Sequence, residues 1–262
     1  MPPTAAPATT PVPTAAQLEA ALARGEIRAA FQPKVTLATG ALAGVEALAR
    51  WTDPELGSVP PSVFIPLAEQ SGLIGALTGA MLREAIGVCV ALRRRHPAAT
   101  VALNLSPVLL GDPGLPACIA AMLDEAGLPP TALIVEVTEG RPIADDDTAG
   151  RVLGALRAQG VDCAIDDFGI GHANLEALLR LPFNELKIDR SFVAQAAETP
   201  EAWTIVRATI RLARELRLRV VAEGIETDEI ERRLREAGCE QGQGYRYGCP
   251  MPREALLARL CG

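Results

Sequence analysis

The chain has 262 residues, 49% of them hydrophobic and 22% charged, with a formal net charge of -7. That length is long for one β-sandwich and suits one α/β barrel or two small domains. The acidic balance excludes a basic surface for polymeric DNA or RNA, but not a small phosphorylated ligand whose charge a metal or a few arginines neutralise locally.

The six cysteines, Cys89, Cys118, Cys163, Cys239, Cys249 and Cys261, form no Cys-x-x-Cys pair, and the histidines are His96 and His172. Reduced thiols in a cytoplasmic protein are the expectation, and zinc would want tighter Cys and His clustering. The longest apolar stretch, Leu73 to Leu92, is interrupted by Arg83 and Glu84, so no membrane segment is read in it.

Met1 to Thr14 is almost entirely Pro, Ala and Thr and has neither a basic start nor an apolar signal core. Residues 1–16 are expected to be a disordered tail and residues 17–262 a single domain. A short helix is predicted from Ala15 to Arg24, stopped by Gly25. Strands follow at Ala29–Leu37 and Leu42–Trp51, joined at Thr39-Gly40 as an antiparallel hairpin. After a Pro-rich loop from Asp53 to Pro61 come helices at Ser62–Gln70 and Leu73–His96, the second ending in a basic run that complements a helix C-terminus.

From there strand and helix alternate. Strands are predicted at Thr100–Leu105, Ala132–Val137, Val161–Asp166, Glu185–Ile188, Arg219–Ala222 and Glu240–Gly242. Helices are predicted at Leu115–Ala126, Asp146–Gln159, Glu201–Leu216, Asp228–Ala237 and Arg253–Leu260. This pattern implies right-handed parallel crossovers, and about eight strands favour an α/β fold of the modified (β/α)8 TIM-like barrel type with an antiparallel first strand. An open doubly wound sheet is the alternative, but the first strand-to-helix turn lacks a dinucleotide-binding glycine fingerprint.

Seven strands carry a polar residue where an apolar one would serve the core, mostly near the carboxyl end: Glu46, Asn104, Glu136, Asp166 with Asp167, Lys187, Glu223 and Gln243. Burying each unpaired costs on the order of 1–3 kcal/mol or more. In a parallel barrel those ends converge on one mouth, where barrel active sites lie. Carboxylates and an amide oxygen, with no His or Cys nearby, make an all-oxygen set suited to Mg²⁺ or Mn²⁺. The adjacent Asp166 and Asp167 allow one carboxylate to bridge two ions, an arrangement that activates water against a phosphodiester, and Lys187 adds a positive charge there.

Taken together, Gly44-Val45-Glu46-Ala47-Leu48-Ala49-Arg50-Trp51, Phe31-Gln32-Pro33, Asn104-Leu105-Ser106, Glu136-Val137-Thr138-Glu139, Asp166-Asp167-Phe168-Gly169, Lys187-Ile188-Asp189, Ala222-Glu223-Gly224-Ile225-Glu226-Thr227 and Gln243-Gly244-Tyr245 resemble the EAL-domain family of bacterial cyclic di-GMP phosphodiesterases. The resemblance runs from about residue 17 to the C-terminus. It implies two Mg²⁺ or Mn²⁺ ions per site, with Glu46, Asn104, Glu136 and Asp166 holding one and Asp166 with Asp167 the other. Lys187 would contact the attacking water, Glu223 support it or a metal-bound water and Gln243 complete the polar shell, with Glu46, Lys187 and Glu223 the catalytic set. Arg50 would meet a substrate phosphate, which suits its forked donors. Gln32, Asp189, Gln243 and Tyr245 complete the substrate contacts, and Glu139 would tie down the loop after the Asp pair.

The implied reaction is hydrolysis of one phosphodiester of cyclic di-GMP to linear pGpG, in a cytoplasmic homodimer, with Ca²⁺ inhibitory. A catalytically silent receptor for the same dinucleotide is the alternative, which loss of an acid or of Lys187 would favour, and none is missing. One departure stands out: after Gly171 the family usually has an aromatic and two serines, and here stand His172, Ala173 and Asn174. Asp167-Phe168-Gly169 also spells a kinase tripeptide, but neither a His-Arg-Asp loop nor a glycine-rich nucleotide loop accompanies it.

Overall fold

The computed structural model describes residues 13–138, 146–169 and 175–261. Helix α1 (Ala15–Arg24) begins on a capping box, in which the Thr14 hydroxyl accepts from the Gln17 N–H while the Gln17 side chain accepts from the Thr14 N–H, and ends at left-handed Gly25. Its cap lies ahead of residue 17, so residues 14–16 belong to the folded chain. The predicted hairpin follows as β1 (Ile27–Thr36) and β2 (Leu42–Asp53). Then come β3 (Gly57–Val59), α2 (Pro61–Gln70), α3 (Ile74–Arg93), β4 (Thr100–Leu105), α4 (Leu115–Glu125), β5 (Leu133–Thr138), α5 (Asp146–Gln159) and β6 (Asp162–Phe168). The chain continues through α6 (Leu175–Arg180), β7 (Glu185–Ile188), α7 (Arg190–Glu198), α8 (Pro200–Glu215), β8 (Arg219–Ala222), α9 (Asp228–Glu236), β9 (Gln241–Gln243), β10 (Met251–Pro252) and α10 (Arg253–Cys261).

Eight strands close into a barrel in the order β1-β2-β4-β5-β6-β7-β8-β9 and back to β1. Every neighbouring pair is parallel except those of β1, which runs antiparallel to both β2 and β9. The expected barrel with an antiparallel first strand is therefore the observed fold. Short β3 and β10 extend it from β2 and β1.

Four elements lie where the sequence predicts loop. In the Pro-rich segment β3 pairs Val59 with Trp51, but three residues are too few to show a period. The others are α6, β10 and α7, whose signal was Asp189: its carboxylate accepts from the Ser191 N–H at 2.7 Å and caps the helix. The long helix stops at Arg93 rather than His96, and His96 Nε2 lies 3.0 Å from the Leu260 carbonyl. Helix α3 is long and apolar enough to cross a membrane, yet Ala85, Val88, Cys89 and Leu92 on it are wholly buried against the barrel, which accounts for its hydropathy. Cys89, Cys163 and Cys239 are free and buried, and Cys118 and Cys249 free and exposed.

Inside the barrel, alternation along the strands stacks side chains in layers. Ala102, Ile134 and Ala164 form a small apolar cluster separate from the large one between strands and helices. Two residues before Ala164 and Lys187 stand Asp162 and Glu185, which form a charged floor. The Lys34 ammonium lies 3.0 Å from Glu185, and both side chains are buried. Arg219 bridges Glu185 at 2.6 Å and Asp162 at 2.7 Å, and Arg157 adds a contact to Asp162 at 2.7 Å.

Burial alone would push Glu185 up, but Lys34 and Arg219 outweigh it and hold its carboxyl below the ordinary value of 4.5. Asp162, also opposed by burial, is held down by Arg219 and Asn184. A carboxyl depressed in the folded state stabilises the fold fully above its unfolded pKa, and that stabilisation drains away as pH falls through the folded value. Urea unfolding across the acid range should therefore show stability falling below about pH 4.5. Glu185→Gln, which leaves Lys34 buried without its counter-charge, should cost about 3–5 kcal/mol at neutral pH and flatten the acid slope. Unchanged stability in that variant would contradict this role for the floor.

Candidate functional site

At the other end of the barrel the predicted polar residues meet around one ammonium. Lys187, 1% exposed, places Nζ 2.6 Å from Glu223 Oε1, 2.8 Å from Glu136 Oε2, 3.1 Å from Asp166 Oδ1 and 3.5 Å from Glu46 Oε2. Glu46 is held from two sides, because Asn104 Nδ2 donates to Oε1 at 2.8 Å and Gln243 Nε2 donates to Oε2 at 2.7 Å. The hairpin sets this up: Gln32 on β1 faces Glu46 on β2 in the ladder, accepts from Gln243 at 2.9 Å and donates to the Gly248 carbonyl at 3.0 Å.

Adjacent Asp166 and Asp167 pose a geometric problem, since consecutive strand residues point to opposite faces. β6 solves it by breaking register with β7 between Ile165 and Phe168, with Asp167 in the left-handed region at φ 57°. Such a conformation costs a non-glycine residue about 1–2 kcal/mol, which Asp tolerates better than most. The Asp167 N–H donates to Asp166 Oδ1 at 2.9 Å. Two carboxylate triads result, Glu46 with Glu136 and Asp166, and Asp166 with Asp167 and Glu223, each offering oxygens within 4.8 Å of one another. Asp166 belongs to both.

Charge in this cluster is unbalanced. Burial opposes the charge on Lys187, but Asp166, Glu136, Glu223 and Glu46 outweigh it and raise its pKa well above the ordinary value, so it stays an ammonium. Burial also opposes ionisation of Glu46, which Lys187 and the two amides overcome, holding its carboxyl below the ordinary value. For the remaining acids burial wins: Glu136 is pushed well up, Asp166 is raised, Asp167 reaches about 6 and Glu223 about 8. Glu136 Oε1 is buried with no hydrogen-bond partner. Five carboxyls against one ammonium, all oxygen donors and one buried oxygen to spare, fit a divalent cation. These clustered acids could hold a metal.

The cluster forms the floor of a 390 Å³ cleft walled by Arg50, Arg190, Pro250 and Tyr245, with Tyr245 60% exposed at the rim. Arg50 donates to the Ala49 carbonyl at 2.8 Å within that wall. Asp189 also lines the cleft, but one carboxylate oxygen is engaged in capping α7. Gln32 lies beneath Gln243 with both ends of its amide bonded. Glu139, His172, Ala173 and Asn174 lie outside the described residues.

The sequence reading missed a second cavity of 410 Å³ beside the cleft, lined by Pro61, Ile65, Pro66, Leu77 and Met81. The two spaces share Leu48, Arg50, Asn104, Thr138 and Asp167 and therefore adjoin. The available signal was Pro66, a proline inside α2. The Glu69 carboxylate, which accepts from the Ser106 hydroxyl at 2.7 Å, is one of the polar groups of its wall.

The EAL domain model matches residues 15–250. The bifunctional diguanylate cyclase/cyclic di-GMP phosphodiesterase MucR of Pseudomonas aeruginosa is 41% identical over 247 residues, covering 93% of this chain and 36% of that protein. The cyclic di-GMP phosphodiesterase RocR of the same organism is 36% identical over 251 residues, covering 96% of this chain and 64% of RocR. The chain thus spans less than two thirds of the length of either relative. Among solved structures, the PaMucR phosphodiesterase in complex with c-di-GMP superposes with a TM-score of 0.84 at 40% identity, over 92% of this chain and 98% of that one. The FimX EAL domain from Pseudomonas aeruginosa bound to c-di-GMP gives 0.80 at 27% identity, over 90% and 95%. Family model, relatives and fold agree, and the chain belongs to the EAL-domain family.

Proposed function

We propose that this chain hydrolyses cyclic di-GMP to linear 5′-pGpG at the Lys187 carboxylate cluster, using two Mg²⁺ or Mn²⁺ ions. The observation that carries this reading is the pair of acidic triads sharing Asp166, with an ammonium at their centre. Divalent ions held there would lower the pKa of a water and neutralise charge on the scissile phosphate. Glu46, Glu136 and Asp166, with Asn104, are the residues for one ion, and Asp166, Asp167 and Glu223 those for the other.

The chain's own groups do the rest. Lys187 supplies a fixed positive charge beside the attacking water, and Glu223 orients that water by accepting a hydrogen bond from it. Arg50 and Arg190 line the cleft, where guanidinium groups suit phosphate oxygens. The water oxygen bonds to phosphorus while the P–O3′ bond breaks; in net balance one proton of the water ends on the 3′ oxygen, which leaves as a hydroxyl, and the other stays with the new 5′-phosphate or passes to solvent. The apolar cavity adjoining the cleft takes a guanine base, a flat group that buries its faces against Pro66, Ile65 and Met81. Tyr245 offers an aromatic face at the rim.

Incubation of the protein with cyclic di-GMP and Mg²⁺ or Mn²⁺ should yield pGpG, and Glu46→Ala should lower turnover by at least about 100-fold, as loss of a positioned transition-state contact does. Binding without any linear product in the unmutated protein would sink the enzyme reading and favour the silent receptor. Replacing Mg²⁺ with Ca²⁺ should preserve dinucleotide binding and support little turnover, because the looser coordination of Ca²⁺ positions the water poorly. Equal rates with the two ions would count against the two-metal account. Ile65→Trp, which fills the apolar cavity, should raise KM about tenfold or more with little change in kcat, the signature of lost uniform binding. An unchanged KM would place the base elsewhere.

A further inference from the structure

Two described non-glycine residues have left-handed backbones, Asp167 and Arg217. Arg217 follows the end of α8, where such a residue is ordinary. Asp167 sits inside a strand, one residue before a buried Phe168 that rejoins the ladder opposite Ile188. Such a conformation persists only where its surroundings hold it.

The support on the far side is an aromatic ring. Gly169 has φ 104°, and a Cβ built on it would lie 2.9 Å from Cε2 and 3.2 Å from Cζ of Phe192. The ring edge therefore rests directly on the Gly169 backbone. Phe192 stands in the first turn of α7, fixed by the Asp189 cap and by buried Val193 behind it. The same turn packs against the neighbouring rim loop, where a Cβ at Gly224 would come 2.6 Å from Arg190 Cβ. Gly224 follows Glu223. One helical turn thus braces both segments that carry the outer members of the second triad, Asp167 and Glu223.

We propose that Phe192 is a positioning residue for the second metal position. Its ring holds the Gly169 backbone, and through it the left-handed Asp167, so that Asp166, Asp167 and Glu223 converge. Glu46, Glu136 and Asp166 converge without it, because β2 and β5 place the two glutamates and the β5 ladder still pairs Asp166 with Thr138. The proposal rests on the two-metal reading above.

The test is Mn²⁺ titration of the full chain without dinucleotide, followed by calorimetry and by the electron paramagnetic resonance signal of spin-coupled Mn²⁺. The unmutated protein should take up two coupled ions. Phe192→Ala should keep the first ion at its original affinity, bind the second about 10- to 100-fold more weakly and lose the coupled signal. Gly169→Ala attacks the same contact from the loop and leaves α7 intact, and it should produce the same selective loss. Two ions bound with unchanged affinity in both variants would overturn the role of Phe192 while leaving the two-metal reading in place. Equal weakening of both ions in both variants would overturn it too, since general loss of structure acts that way. A single ion in the unmutated protein would instead overturn the two-metal reading, and this proposal with it.

Discussion

The arrangement depends on one buried ammonium. Lys187 reaches the barrel mouth from within and touches carboxylates from β2, β5, β6 and the segment after β8. Removing those charges from water is costly, and a single lysine offsets only part of the cost. The surplus negative charge is the property a pair of divalent ions would answer. A second lysine, Lys34, plays the opposite part at the floor, where Glu185 satisfies it through one carboxylate oxygen while Arg219 takes the other. Between these two charged layers lies the disc of Ala102, Ile134 and Ala164, whose two alanines leave volume for the long lysine side chains.

Two irregularities in an otherwise regular barrel build the site. The antiparallel first strand lets Gln32 face Glu46 across a hairpin and accept from Gln243, which also donates to Glu46 and, after Lys187 and together with Asn104, helps hold that carboxyl below its ordinary value. The register break in β6 turns two consecutive acids toward one mouth, which a straight strand cannot do. Rigid strands supply the first triad. The second draws on the register break inside β6 and on the segment after β8, and the first turn of α7 packs against the chain beside both. That division makes the two positions physically unequal, although they share Asp166.

Much of this was legible in the residues. Alternating apolar runs and helical faces gave the barrel, and the polar residues at strand ends gave the cluster, because Glu46, Asn104, Glu136, Asp166, Lys187 and Gln243 interrupt patterns that otherwise read as core. The charged floor was visible in principle as the same phase two residues earlier, Lys34 after Gln32 and Glu185 before Lys187, but without register nothing pairs them. The left-handed backbone of Asp167 had no signal beyond the glycine that follows. The contact of Phe192 with Gly169 joins the end of β6 to the start of α7, with α6 and β7 between them in the chain, and the apolar cavity draws on α2, α3, β2 and β4 together. Such features come from packing between distant segments, which local pattern does not encode.

The central claim is that one carboxylate, Asp166, serves two cations above Lys187. Anomalous diffraction from crystals of the unmutated protein grown with Mn²⁺ addresses it most directly. The account predicts two peaks sharing Asp166, one with Glu46 and Glu136 and the other with Asp167 and Glu223. A single peak, or two peaks with no ligand in common, would contradict it.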